Sequence, residues 1–90
     1  MTERQQQIAT AILRFLDRLD GAQGAETVIH ASAQTALRNL GEPAPSLAEF
    51  QDALLLCDQQ GWVTGVSSRL TKQMKWCLND LGRAALLELK

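Results

Sequence analysis

Few residue types in this chain can carry chemistry, and their spacing keeps them apart. His30 is the single imidazole among 90 residues, and its neighbours Ile29 and Ala31 offer neither a nucleophile nor a carboxylate. On a helix Glu26 would fall one turn before His30, a spacing that more often makes a surface pair than a catalytic dyad. Cys57 and Cys77 are too few for a disulfide framework. With one histidine they do not fall at zinc-ligand spacing, so they read as two buried or half-buried thiols. The sequence contains no phosphate-binding glycine loop, dinucleotide fingerprint or nucleophile elbow. The expectation is a non-enzymatic protein with no catalytic residues, no metal site and no cofactor.

What remains is charge and apolar surplus, and both concentrate in one stretch. Residues 46–60 contain Glu49, Asp52 and Asp58 and no Lys or Arg, a local balance of −3. Residues 61–78 contain Arg69, Lys72 and Lys75 and no acid, a local balance of +3. The whole chain sums to −1, which gives no global attraction to nucleic acid or to an anionic membrane. So small a net charge mildly favours association. Leu54, Leu55 and Leu56 are consecutive, and a helix cannot turn all three toward one core. Leu55 is the one expected to face outward, beside Asp52 and Gln59, with Leu56 on the flank.

The elements that must position these residues follow from periodicity and stop signals. A first helix is expected from about Thr2 to Leu19, with Ile8, Ile12, Phe15, Leu16 and Leu19 on one stripe. The glycines within residues 20–24 end it. A second helix, from about Ala25 to Leu40, carries Ile29, Ala33, Ala36, Leu37 and Leu40 at the same spacing. Gly41, Pro43 and Pro45 stop it and stiffen the connector. Ser46-Leu47-Ala48-Glu49 fits a capping box, which opens a third helix ended by Gly61. Leu47, Phe50, Ala53, Leu54 and Cys57 project to one side of this helix; Ala48, Asp52, Leu55 and Gln59 project to the other.

Beyond Gly61 the period changes to two. Residues 62–66 are β-prone, residues 67–71 form a polar turn, and Met74, Trp76 and Leu78 alternate with Lys75 and Cys77. Trp62 and Trp76 are expected in the core. Asn79 or Asp80 caps a last helix carrying Leu81, Ala84, Ala85, Leu87 and Leu89. A chain of 90 residues builds a single domain, residues 1–90, with a thin core. Its longest apolar runs fall well short of the ~18–20 residues a membrane span needs. The polar start lacks the apolar stretch of a signal peptide, so cytoplasmic residence is the expectation.

Gln59-Gln60-Gly61-Trp62-Val63 resembles the exit from the third helix into the first wing strand of winged helix-turn-helix domains. Residues 76–83, Trp-Cys-Leu-Asn-Asp-Leu-Gly-Arg, resemble the strand-to-helix exit of the same family, with Asn79 where Thr is commonest. The resemblance covers nearly the whole chain and implies a mainly α fold of three helices, a two-stranded wing and a C-terminal helix. The organisation is also similar to small winged-helix proteins of Mu-like phages and prophages. Family members commonly bind DNA, with the third helix in the major groove and a basic wing on phosphate. Here the third helix would present Asp52 and Leu55 to a polyanion, although Gln51 or Gln59 could read an adenine edge.

Two functions stay open. The first is a phage or bacterial regulatory module that binds another protein, or itself as a homodimer, through Asp52, Leu55, Leu56 and Gln59. In that reading Arg69, Lys72 and Lys75 face an acidic surface. The second is a DNA-binding transcriptional regulator that relies on the same basic wing.

Overall fold

Each described helix starts or stops on a specific capping contact, from a side chain or from the backbone. The structure, a computed structural model, describes residues 2–67, 70 and 74–89. Helix α1 (Glu3–Arg18) opens on a capping box: the Thr2 hydroxyl accepts the Gln5 amide at 3.1 Å, and the Gln5 side chain accepts the Thr2 amide at 2.8 Å. Its inward face buries Ile8, Ile12, Leu13 and Leu16 completely. This helix is the hub of the core, because α2, α3, α4 and the sheet all pack on it. It ends where Asp20 and Gly21 take the left-handed conformation, at φ 52 and 86.

Helix α2 (Glu26–Asn39) buries Ile29, Ala33 and Leu37. Leu40, expected on that stripe, is instead 65% exposed. The helix ends at Asn39, and Leu40 at ψ 0 has already left the helical path. Gly41 then takes a positive φ, and its amide and that of Glu42 bond back to Arg38 and Leu37. Such a closure satisfies carbonyls that the last turn leaves free. Pro45, in the same connector, is fully buried.

Helix α3 (Leu47–Gln59) begins at the expected box: the Ser46 hydroxyl accepts the Glu49 amide at 3.2 Å, and Glu49 accepts the Ser46 amide at 3.1 Å. Phe50, Ala53, Leu54 and Cys57 enter the core. Leu47 departs from expectation and stays exposed; it is the first helical residue, and its side chain leans back toward the N-terminus, past the core. The amides of Gly61 and Trp62 close the far end on Asp58 and Cys57.

Strands β2 (Val63–Ser67) and β3 (Met74–Leu78) form the expected hairpin, with Gly65 opposite Trp76. The sheet is three-stranded and antiparallel, not two-stranded: β1 (Gly24–Ala25), in the α1–α2 connection, pairs with the other side of β3. Two residues have no period to read, and the pairing is made by backbone alone. Gly24 permits it, since a Cβ there would come within 3.2–3.3 Å of Leu19 and Ile29 atoms. Trp76 is buried and donates its indole N–H to Glu26 at 3.0 Å, whereas Trp62 is half-buried.

Helix α4 (Asp80–Leu89) turns Gly82, Ala85 and Leu86 inward, and leaves Leu81 and Leu87 exposed. Asn79 caps it by accepting the Gly82 amide at 2.9 Å, and its side-chain amide donates to the Gly61 carbonyl. One side chain therefore ties the start of α4 to the end of α3. No described helix is long and apolar enough to cross a membrane.

Gly82 sits where a Cβ would collide with the Trp62 carbonyl oxygen and the Leu78 side chain. Backbone cannot move aside as a flexible side chain can. Gly82→Ala is expected to cost about 1–3 kcal/mol or more, read as a lowered urea midpoint; an unchanged midpoint would refute this close packing.

Candidate partner-binding surface

The rotation of α3 decides which of its side chains can reach a partner. At about 100° per residue, the buried arc of Ala53, Cys57, Phe50 and Leu54 leaves an opposite arc open. Going round the helix, that arc presents Leu47, Asp58, Gln51, Leu55, Ala48, Gln59 and Asp52, all exposed. Leu55 lies near its middle and is 53% exposed. Asp58 lies toward one margin, Asp52 at the other, and no cation interrupts them. Leu56 is half-buried at the edge of the arc. Asp52, Leu55 and Gln59 thus share one open face, with Leu56 beside it.

Glu49 behaves differently from the other two acids. Its carboxylate turns off the open arc and accepts from Arg4 of α1, at 3.0 Å from Nε and 3.4 Å from Nη2. The Arg4 hydrogen bond, followed by the Ser46 amide, holds the Glu49 carboxyl below its ordinary value of 4.5. Arg4 is raised in turn, chiefly by the same hydrogen bond. One Arg4 nitrogen, Nη1, is buried without a partner among the described residues. The −3 of residues 46–60 therefore presents outward only as Asp52 and Asp58. Sequence reasoning missed this pair, because 45 positions separate its members and no local spacing announces it.

The basic side of the contrast is partly in view. Lys75 is exposed on β3, opposite Val66 of β2 and Ala25 of β1. Arg69 and Lys72 lie outside the described residues. Arg14 and Arg18 line an open groove of about 870 Å³ between α1, α2 and α4, but Glu3 and Asp17 line it too. Its mixed signs do not extend the hairpin charge into a basic stripe.

The residues with chemical potential are held in structural roles. His30 does not meet Glu26, which is taken by Trp76. Its Nε2 lies 3.1 Å from the Pro45 carbonyl, so that nitrogen carries a proton, and its ring stacks on Phe50 at 4.8 Å. Gln34 donates to the same carbonyl. These contacts pin the α2–α3 connector and so help set the angle at which α3 leaves it. Cys57 is buried, and burial pushes its thiol up to about 12. Cys77 is half-buried on β3 and near the Thr64 carbonyl. Among the described residues no three His, Cys, Asp or Glu side chains gather as metal ligands would.

No family model, no curated protein and no solved structure matches this chain. The candidate surface rests on its own geometry.

Two outcomes follow from these environments. A lowered carboxylate pKa contributes stability above its unfolded-state value and loses it as pH falls through the folded one. The melting-temperature gap between wild type and Glu49→Gln should therefore be constant near neutrality and narrow below pH ~4.5. A gap independent of pH would remove the Arg4–Glu49 contribution. A thiol reagent at neutral pH should modify Cys77 readily and Cys57 only on unfolding; equal rates in the native protein would contradict the buried thiol.

Proposed function

We propose that this chain is a winged-helix binding module that acts through a protein contact on the outward face of α3. The carrying observation is the composition of that face. Leu55 is exposed near its middle, Ala48, Gln51 and Gln59 surround it, Asp52 and Asp58 mark its margins, and it has no cation. A half-exposed leucine among small and amide side chains is suited to a contact that excludes water at its centre and stays polar at its rim. A DNA groove demands the reverse, because affinity for a duplex comes mainly from Lys and Arg neutralising phosphates. The winged-helix reading is supported by the element order α1, β1, α2, α3, β2, β3, α4 and by the sheet order β1-β3-β2. A small phage or bacterial regulator is the setting this reading suggests.

A second reading has its own observation. Residues 61–78 carry three cations and no acid, with Lys75 exposed, so the hairpin suits an anionic partner. In the leading reading that partner is an acidic protein surface; in the alternative it is the phosphate backbone of DNA.

Leu55→Asp tests the leading reading. The variant should melt within about 0.5 kcal/mol of wild type, as exposed substitutions do, and should lose the protein partner recovered with wild type. A folded variant that keeps the partner would contradict the assignment. The alternative is tested by titrating random duplex DNA at low and moderate salt. It requires binding with a steep salt slope; the protein-contact reading expects none beyond weak, wing-dependent association.

A further inference from the structure

The outer edge of β2 is a second surface with a definite geometry, and we propose that it pairs antiparallel with the same edge of a second copy, about a two-fold axis at Gly65. Nothing in this inference rests on the α3 reading. Strand β2 is terminal in the sheet order β1-β3-β2, and no described strand covers its free side. The Asn79 amide donates to the Trp62 carbonyl, which sets the phase of the β2–β3 ladder. Hydrogen-bonded pairs alternate along an antiparallel ladder, so Thr64 and Val66 bond to β3, opposite Cys77 and Lys75. The backbone groups of Val63, Gly65 and Ser67 then point to the free side.

Among the described residues, the devices that normally blunt such an edge are missing. Val63-Thr64-Gly65-Val66-Ser67 contains no charge and no proline, and four of the five residues are exposed. Natural edges are usually protected by Lys, Pro, a bulge or a cover. Pairing about Gly65 sets Gly65 against its symmetry mate, Val63 against Ser67, and Thr64 against Val66. The outward-pointing groups of the three odd positions then bond one another, and no like charges meet on the paired strands.

Side chains on both sides of the sheet complete the fit. On one side Val66, 42% exposed, would gain Thr64 of the second copy as a direct neighbour. On the other side Gly65 has no side chain, and Trp76 and Met74 lean across it; a Cβ there would fall within 2.8–3.0 Å of their atoms. Met74 is 36% exposed. At the axis Met74 of each copy would meet the other over the paired glycines, giving the edge an apolar centre on its inner face. Gly65 thus acts twice: it brings apolar side chains to the edge and keeps the axis clear. A strand this short buries less than a standard interface of roughly 1,600 Å², so the dimer should dissociate on dilution.

Sedimentation equilibrium from low micromolar to millimolar concentration tests the pairing. Wild type should move from monomer to dimer across that range. The doubly substituted chain Thr64→Lys, Val66→Lys places like charges opposite each other at two symmetric positions and should weaken association about tenfold or more. Both positions are exposed, but Val66 faces Lys75 within the sheet, so at monomer concentrations this chain should stay folded and melt slightly below wild type. Mixing it with Thr64→Glu, Val66→Glu should restore a heterodimer. Ser67→Pro, which deletes an edge donor that β3 does not use, should weaken the dimer in the same way. A wild type that stays monomeric to millimolar concentration overturns the proposal. So does a dimer indifferent to the lysine pair, or one abolished by Leu55→Asp alone.

Discussion

The rotation of α3 about its own axis is the constraint on which the rest of this molecule depends. It is fixed at both ends by polar contacts and along its length by burial. At the start, Ser46 and Glu49 cap each other while Arg4 holds the Glu49 carboxylate against α1. At the end, the Gly61 and Trp62 amides close the last turn, and Asn79 grips the Gly61 carbonyl from the start of α4. Between them Phe50, Ala53, Leu54 and Cys57 are seated in the core. A quarter-turn would expose some of these and bury Asp58 in one direction or Glu49 in the other, at a cost of several kcal/mol.

That fixed rotation gives the charge contrast its meaning. A helix with three acids could in principle hide them all in ion pairs. Among the described residues only Glu49 is ion-paired, and Asp52 and Asp58 remain on the open face with Leu55 between them. The hairpin follows directly from the same helix through a single glycine turn, so its cations and the acidic face belong to adjacent elements. The sheet is anchored from the other side by β1 and by the indole of Trp76 on Glu26, which joins it to the entrance of α2.

Much of this was legible in the sequence, for identifiable reasons. Helix limits rest on local devices, so Ser46-x-x-Glu49 and Gly61 could be read directly, and the alternation of Trp76 and Leu78 with Lys75 and Cys77 marked a strand. The exposure of Leu55 followed from three consecutive leucines. What stayed hidden was non-local or lacked a period. Gly24–Ala25 is too short to alternate, and Arg4–Glu49, Trp76–Glu26 and His30–Pro45 join distant segments. Periodicity alone places Leu40 and Leu47 inward, because it does not see where a helix starts or stops. In α4, Leu86 and not Leu87 turned inward, because Gly82 must face Trp62 and Leu86 lies one turn further on.

The claim most exposed to test is that α3 presents a face unfit for a DNA groove. Amide chemical-shift mapping of isotope-labelled protein against random duplex DNA at low salt addresses it residue by residue. The account predicts that any shifts stay within the hairpin around Lys75, while Gln51, Asp52, Leu55 and Gln59 remain unmoved. Shifts concentrated on those four α3 residues would contradict it.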